Sequence, residues 1–391
     1  MRDFVYCAPT RVVFGRDTEK QVGQLLKDFG AKRVLMQYGG GSVKRSGLYD
    51  TVVACVKAAG IELFEMGGVQ PNPRLSFVRE AIELCRKESI DFLLAIGGGS
   101  AIDSTKATAV GVPYEGDVWD FYAGKQQPKT ALPLGVVLTF PAAGSEGSNS
   151  SVITNVEDGG IKRGLGCDLT RPAFAIYNPE LTYTLPPYQT AAGASDIMAH
   201  TMERYFTNEK DVDFSDRLCE SLLKTIIRQA PVCLKDPTNY EARAEMMWAS
   251  TVAHNDFLSN FRLGDWASHQ LSHELSGAYD STHGAALAVI FPAWMKYVYK
   301  HDIPRFCRFA VNVMGVEPDF FHPEQTALKG IAALENFYRS IGMPVTLKEL
   351  GVPDTQLREL AEKVKRNPDG TVGQFVKLNT EDCLAIYELA R

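Results

Sequence analysis

Apolar positions in the first half of the chain alternate between helical and strand spacing. Between Asp17 and Gly30 they recur with the 3.6-residue period of an amphipathic helix, and residues 33–38 then form a short apolar run typical of a buried strand. The same two patterns recur and predict helices over 48–60 and 73–87 and strands over 61–66, 91–96 and 134–138. Short strands that alternate with helices predict a parallel sheet covered on both faces.

The pattern changes after about Pro186, where only helical periodicity remains. Of the 33 glycines, 23 fall in residues 1–186, which agrees with a first half rich in tight turns and a second half rich in helix. Helices are predicted near 190–206, 213–230, 240–260, 266–276, 284–299, 323–341 and 378–390. We therefore expect an α/β domain over 1–186 and an all-helical domain over 187–391.

Composition narrows the classes of function. The net charge of −6, with no basic tail or stripe, argues against a nucleic-acid partner. The N-terminus lacks the apolar segment of a signal peptide, and no apolar run is long enough to suggest a membrane span. Eight cysteines are scattered without a C-x-x-C pair, which is typical of a reducing compartment. These features predict a cytoplasmic protein with no membrane partner.

Two predicted strands run into the same four letters. Gly39, Gly40, Gly41 and Ser42 follow the strand at 33–38, and Gly97, Gly98, Gly99 and Ser100 follow the strand at 91–96. Glycines let a backbone approach a phosphate closely, and the N-terminus of the next helix attracts an anion. One such run alone is equally compatible with an ordinary strand-to-helix turn. Two runs at one sheet edge favour nucleotide binding, although the G-x-G-x-x-G fingerprint is absent.

A carboxylate and several imidazoles are concentrated in the second half of this histidine-poor chain. Asp196 and His200 lie four residues apart, as do His269 and His273, so each pair shares a helix face. His283 follows ten residues later, next to a glycine. One carboxylate with neutral imidazoles suits a borderline divalent ion such as Fe²⁺ or Zn²⁺. Each pair alone could be an ordinary helix-face contact, and chemistry does not decide which four of the five coordinate.

An ordered series of motifs along nearly the whole chain resembles the iron-containing, group III alcohol dehydrogenases, most closely their butanol dehydrogenase branch. The motifs are Pro9-Thr10, Phe14-Gly15, Tyr38 to Ser42, Pro71-Asn72-Pro73, Gly97 to Lys106, Gly144-Ser145-Glu146, Thr184 to Pro187, Ala191 to His200, Gly264 to Ser276 and Tyr279 to Gly284. The resemblance implies a dehydroquinate synthase-like fold, with an N-terminal nucleotide-binding α/β domain and a C-terminal helical metal-binding domain. It also implies a homodimer.

The same resemblance implies roles for individual residues. It assigns Asp196, His200, His269 and His283 as metal ligands, and leaves His273 and Asp265 as catalytic candidates, with His273 as a proton relay. It places the Gly97–Ser100 run at the cofactor pyrophosphate with Asp103 nearby. It places four further residues around the nucleotide, namely Asn72, Thr139, Asn149 and Lys162.

The choice between cofactors depends on the residue that follows the first strand. A carboxylate there would bond the ribose hydroxyls and repel a 2′-phosphate, but this chain carries Gly39, with Ser42 close by. We therefore expect NADPH to be favoured, with NADH possible. Fe²⁺ is the expected metal and Zn²⁺ the alternative.

These inferences predict a metal-dependent, NAD(P)-linked alcohol dehydrogenase or aldehyde reductase of short primary alcohols and aldehydes, similar to butanol and butanal. In that reaction a metal ion lowers the pKa of the alcohol oxygen and hydride leaves for the nicotinamide. An NAD- and metal-dependent lyase of the dehydroquinate synthase type is an alternative. It would need basic residues for a phosphate-bearing sugar acid, whereas Trp266, Phe257, Phe261 and Leu271 predict an apolar lining with Arg262 as the only nearby base. The third hypothesis for the function is a non-catalytic protein that binds a nucleotide or a metal.

Overall fold

The computed structural model describes residues 2–391, which form two compact units. The sheet unit comprises residues 7–185 and 237–255, and the helical unit comprises residues 2–6, 186–236 and 256–391. These units differ from a single division at 186/187 in that residues 2–6 and Pro186 belong to the helical unit and residues 237–255 belong to the sheet unit. The segment 237–255 packs on the sheet unit because Met247 enters its core and Ser250 and Thr251 bond the buried Glu146 carboxylate.

The sheet unit is built on six parallel strands in the order β1-β8-β5-β4-β2-β3. Their bounds are β1 Arg11–Phe14, β2 Arg33–Tyr38, β3 Glu62–Gly67, β4 Phe92–Gly98, β5 Leu134–Phe140 and β8 Phe174–Tyr177. Strand β4 shows why the apolar run was continuous. Its Phe92, Leu94 and Ile96 enter one core, while Leu93 and Ala95 enter another on the opposite face.

Helices cover both faces of this sheet. They are α1 Val22–Asp28, α2 Ser42–Arg45, α3 Leu48–Ala58, α4 Leu75–Lys87, α5 Gly99–Gly111, α6 Trp119–Tyr122 and α9 Tyr240–His254. Helices α1 and α3 contribute their apolar faces to one core, and α4, α5 and α9 contribute to the other. The parallel sheet that the alternating pattern predicted is confirmed.

An antiparallel hairpin in the sheet unit was not predicted. Strands β6 Ser150–Asn155 and β7 Ile161–Gly166 pair in a separate two-stranded sheet. Its apolar contribution is small: Ile153 and Leu165 are the buried residues that join a cluster with α4 and α5. Because most of its other positions are serine, threonine, glycine or charged, the sequence shows no clear apolar alternation there.

The helical unit contains the remaining helices. They are α7 Pro187–Tyr205, α8 Asp213–Lys235, α10 Ala267–Tyr279, α11 His283–Val298, α12 Ile303–Asn312, α13 Pro323–Ser340, α14 Leu347–Leu350, α15 Leu357–Lys363 and α16 Thr380–Leu389. The described residues of this unit contain no β-strand; Val372 and Leu378 form an isolated antiparallel β-bridge. Helices α12, α14 and α15 were not predicted. Among the described residues, no helix combines the length and apolar character needed to cross a bilayer.

Candidate metal centre and cofactor loops

Helix α7 presents a carboxylate and an imidazole toward the interior of the helical unit. Asp196 and His200 are each only 4% exposed, and Asp196 Oδ1 lies 3.5 Å from His200 Nε2. The helical spacing of four residues brings them onto one face, as the sequence predicted. A buried carboxylate is costly unless it is paired with donors or a cation.

Helix α10 adds the second predicted pair. The candidate ligand atoms of Asp196, His200 and His269 all lie within 4.8 Å of one another, and the rings of His200 and His269 are 4.4 Å apart. His273 lies one turn further along α10, with its ring 6.4 Å from that of His269. Three buried ligand atoms at this separation are suited to share one cation.

Helix α11 begins at His283, whose Nε2 lies 3.8 Å from Asp196 Oδ1. The His283 ring is 5.4 Å from that of His269 and 5.3 Å from that of His273. The close approach depends on Gly284, because a Cβ at that position would lie 2.0 Å from the carbonyl oxygen of Ala192 in α7. The Ser195 hydroxyl also donates to the Gly284 carbonyl. Glycine therefore lets two helix backbones meet beside Asp196.

The protonation pattern of His269 fits a bound cation. Its Nδ1 is 2.8 Å from Glu203 Oε1, whereas its Nε2 is buried and has no hydrogen-bond partner among the described residues. A carboxylate only accepts, so Nδ1 carries the proton and Nε2 offers a lone pair. A buried nitrogen lone pair with no hydrogen-bond donor in the described chain, on a ring beside a second imidazole and a carboxylate, suits a metal ligand.

Glu203 was missed by the sequence analysis. It is fully buried, and it follows Asp196 by seven residues and His200 by three, which places all three on one face of α7. That spacing was the available signal. It was overlooked because a glutamate at helical spacing is usually a solvated surface residue.

Asp265, a predicted catalytic candidate, has its carboxylate engaged by backbone donors. Its Oδ1 accepts from the N–H groups of Gln374 and Phe375, both at 2.7 Å, and its Oδ2 accepts from that of Ala267. Burial, and secondarily the charge of Glu203, raises the pKa of Asp265 to about 7. These contacts hold the 373–375 segment against the start of α10, and a catalytic role for Asp265 stays a prediction.

Of the aromatic and basic residues that the sequence predicted to line the site, Trp266 lies beside the histidines, whereas Phe257, Phe261 and Arg262 contact other residues. The Trp266 ring is 5.3 Å from that of His269 and 6.0 Å from that of His200, so it forms an apolar wall beside the cluster. Phe257 and Phe261 pair instead with Tyr6 and Phe4 near the N-terminus. Arg262 is buried against Asp216, with Nη2 2.9 Å from Oδ1, so its charge is already compensated.

The two glycine runs lie at one edge of the parallel sheet. Strands β2 and β4 are neighbours. The first run follows β2, which ends at Tyr38, whereas the second run, predicted to follow its strand, lies partly inside it: Gly97 and Gly98 end β4, and Gly99 begins α5. Gly97 has φ +157°, and Gly98 precedes α5, which starts at Gly99 and offers unpaired N–H groups. A Cβ on Gly98 would lie 2.8 Å from that of Phe140 in β5, whereas Gly40 faces open space. This edge can therefore admit a phosphate close to backbone.

The other predicted cofactor residues also belong to the sheet unit. Lys162 Nζ donates to Asn72 Oδ1 at 2.9 Å, so the structure brings these two together. Thr139 lies near the end of β5, and Asn149 donates to Asp168. Neither contact identifies a nucleotide, and these roles stay predictions.

Asp103 and Lys106 brace the segment 145–152. The Asp103 carboxylate accepts from the Ser145 hydroxyl at 2.6 Å and from the Val152 N–H at 2.9 Å. Lys106, which is fully buried, donates to the carbonyls of Ser145, Ser148 and Ser150. These contacts give Asp103 a structural task, and its predicted place near the pyrophosphate remains a prediction.

Comparisons with known proteins cover the whole chain. The family model described as iron-containing alcohol dehydrogenase matches residues 9–179, and the model for the C-terminal part of the Fe-containing alcohol dehydrogenase family matches 190–391. The chain is 45% identical over 388 residues to the probable NADH-dependent butanol dehydrogenase 1 of Bacillus subtilis, with 99% of each protein covered. It is 35% identical over 397 residues to the NADPH-dependent aldehyde reductase YqhD of Escherichia coli, with 100% of each covered.

A solved structure gives the same result for the fold. The NADH-dependent butanol dehydrogenase A of Thermotoga maritima superimposes with a TM-score of 0.96 at 41% identity, covering 100% of this chain and 99% of the other. The predicted fold class, a parallel-sheet α/β domain followed by a helical domain, is confirmed. The lyase and the non-catalytic alternatives are set aside. The chain belongs to the iron-containing alcohol dehydrogenase family, and it is a metal-dependent, NAD(P)-linked alcohol dehydrogenase and aldehyde reductase.

Proposed function

We propose that the chain interconverts short primary alcohols and aldehydes of the butanol and butanal type, with Fe²⁺ held by Asp196, His200, His269 and His283. One observation carries the proposal: candidate ligand atoms of the buried residues Asp196, His200 and His269 lie within 4.8 Å of one another, and His269 also has a buried Nε2 with no hydrogen-bond partner among the described residues. Named relatives act on butanol or on aldehydes, which supports the substrate class.

The donor set explains the chemistry that a cation would supply. One carboxylate and three neutral imidazoles leave a bound divalent ion with net positive charge, so that it polarises the substrate oxygen as a Lewis acid. The Trp266 ring beside the cluster provides an apolar surface for a short alkyl chain and excludes water. His273, 8% exposed and next to His283, is the group that we assign to move the hydroxyl proton toward solvent.

The cofactor binds the sheet unit in this proposal. The N-terminus of α5 and the glycines before it take the pyrophosphate, and Asn72, Lys162, Thr139 and Asn149 contribute polar groups around the nucleotide. Helix α5 runs for 13 residues, so its N-terminal N–H groups are backed by a full helix dipole. A nicotinamide cofactor held by these residues would supply the hydride acceptor or donor.

NADPH is the preferred cofactor in this proposal. Gly39 and Gly40 carry no charge that would repel a 2′-phosphate, and a Cβ on Gly41 would lie 2.8 Å from Arg45 Nη1, so a guanidinium stands beside this loop. Relatives named as NADH-dependent and as NADPH-dependent both match this chain. A higher kcat/KM with NADH than with NADPH would overturn the preference.

The test of the reaction uses protein stripped of metal and then reconstituted with Fe²⁺ or Zn²⁺. Oxidation of NADPH is followed at the nicotinamide absorbance with a panel of short aldehydes, butanal among them. We expect no turnover without metal, turnover after reconstitution, and higher activity with Fe²⁺ than with Zn²⁺. Full activity in the metal-free protein contradicts the proposal.

The proposal includes a cytoplasmic location and a homodimeric state. All eight cysteines are free in the structure, which suits work in the reducing cytoplasm. We also expect a homodimer, as the family resemblance implies. Light scattering coupled to gel filtration checks this, and a monomeric mass near 43.1 kDa for the active enzyme contradicts it.

A further inference from the structure

We propose that Glu203 is a positioning residue, which fixes the orientation and tautomer of His269 and thereby sets the metal affinity of the centre. Glu203 lies on α7 with its side chain fully buried. It is not one of the candidate ligands, because its two oxygens are engaged by other donors. The inference rests on the proposed function, in which His269 is a metal ligand.

The contacts of the Glu203 carboxylate define the role. Oε1 accepts from His269 Nδ1 at 2.8 Å and from the His269 backbone N–H at 2.9 Å, and Oε2 accepts from the Trp266 N–H at 2.6 Å. A neutral imidazole carries a single ring proton, and this carboxylate holds it on Nδ1. The lone pair is therefore confined to Nε2, the buried atom that has no hydrogen-bond partner among the described residues.

The same carboxylate also replaces a missing helix cap. Helix α10 starts at Ala267, its N-cap is Trp266, and His269 is the third helical residue, whose N–H an N-cap side chain ordinarily bonds. Tryptophan has no oxygen with which to do so, and Trp266 is itself in the left-handed region at φ +68°. Glu203 reaches across from α7 to accept that N–H. One carboxylate thus holds both the backbone and the ring of His269.

Burying the Glu203 carboxylate costs free energy, and we infer that the cost is tolerated because the contact fixes the His269 ring. An ionised carboxylate with no exposed surface loses its hydration, and three N–H donors on its two oxygens offset that loss. Carboxylate–histidine pairs of this kind raise the basicity of a ligating imidazole and hold its ring in place. A helix cap alone would not need a contact with the imidazole.

The test measures Co²⁺ binding, by its visible absorption, to the metal-stripped full-length protein. Glu203→Ala removes both functions, and we expect its Kd for Co²⁺ to rise by roughly 10- to 100-fold. Glu203→Gln keeps an oxygen for Nδ1 but loses the charge, and its Kd should rise by a smaller factor. The matched control is Asn379→Ala, which removes the N-cap of α16 in the same unit and leaves the centre untouched. Its unfolding midpoint in urea should fall while its Kd stays at the wild-type value.

These measurements distinguish failure of the positioning role from misfolding and from a wrong ligand assignment. If Glu203→Ala and Glu203→Gln both fold and bind Co²⁺ as tightly as Asn379→Ala does, the proposal is overturned. If Glu203→Ala does not fold, Glu203→Gln decides: a Kd above that of Asn379→Ala supports the role, and an equal Kd overturns it. His269→Ala is measured alongside. If it keeps wild-type affinity, the ligand assignment itself fails, whereas loss of binding in His269→Ala with unaffected Glu203 variants defeats only the positioning role.

Discussion

The helical unit and the sheet unit build their sites from different parts of the chain. The candidate centre consists of side chains from α7, α10 and α11, of which Asp196, His200 and His269 are buried and His269 is held by Glu203. The two glycine runs, after β2 and across the junction of β4 with α5, consist of glycine backbone at a sheet edge, and the role that we propose for them depends on the absence of side chains. The first site should therefore fail when atoms are removed, and the second when atoms are added.

The largest expected effect tests the side-chain site. His200→Ala or His269→Ala removes a buried ligand, and we expect loss of the metal and a fall in turnover of more than about a thousandfold, because the Lewis acid is lost. Metal analysis and aldehyde reduction with NADPH measure both. The matched control is His322→Ala, an exposed histidine whose side chain is 71% accessible, and it should keep both. Metal retained by both ligand variants would contradict the comparison.

The next effect tests the backbone site by adding one methyl group. In Gly98→Ala the new Cβ would meet the Phe140 Cβ at 2.8 Å, so the end of β4 must move, and with it the start of α5 that we propose for the phosphate. We expect KM for NADPH to rise about tenfold while metal content stays unchanged. Gly166→Ala, at a glycine with no neighbour within 4 Å, should leave KM as it is. A change in metal content in Gly98→Ala would mean that the two sites are not independent.

A third substitution adds charge to the same edge. A Cβ on Gly39 makes only ordinary contact with the Val69 carbonyl, so Gly39→Asp should fold. Its carboxylate should repel the 2′-phosphate and lower kcat/KM with NADPH by about tenfold, with little loss for NADH. Gly39→Asn, which has nearly the same shape without the charge, is the control. Equal losses in both variants would show a steric cause.

The smallest effect concerns Asp265 and pH. Its pKa in the folded protein is raised to about 7, so between pH 4 and 7 the folded state binds more protons than the unfolded state. The free energy of unfolding should therefore fall as pH rises through this window, by at most about 1.4 kcal/mol per pH unit. Asp265→Asn mimics the protonated form and should lose that slope. Urea unfolding of the metal-free protein measures the difference, and parallel pH profiles would refute it.

Features that depend on local spacing could be predicted from the sequence, whereas short elements and long-range contacts could not. The i,i+4 spacing of Asp196 with His200 made the side-chain pair visible, and the long buried strand β4 was visible as an apolar run. Strands β1 and β8 were missed because four residues are too few to show a period. Helix α9 was recognised as a helix, but its place on the sheet unit depends on contacts such as Thr251 with Glu146, more than a hundred residues apart.

Glu203 was missed for a related reason. Its role depends on His269, which is 66 residues away in sequence, and on a backbone N–H that no side-chain pattern reveals. The resemblance to a family supplied the ligand positions but carried no information about this support. Local periodicity thus identifies which residues share a helix face, whereas the partner across that face comes only from tertiary structure.

The close contact between α7 and α11 limits how this enzyme can change. The spacing of the backbones that carry Asp196 and His283 is limited by the close contact of the two main chains at Ala192 and Gly284. Any larger residue at 284 would push α11 away from α7 and move His283, one of the four proposed ligands, away from the other three. We therefore expect substitutions that change the choice of substrate to be tolerated around the centre but not at position 284.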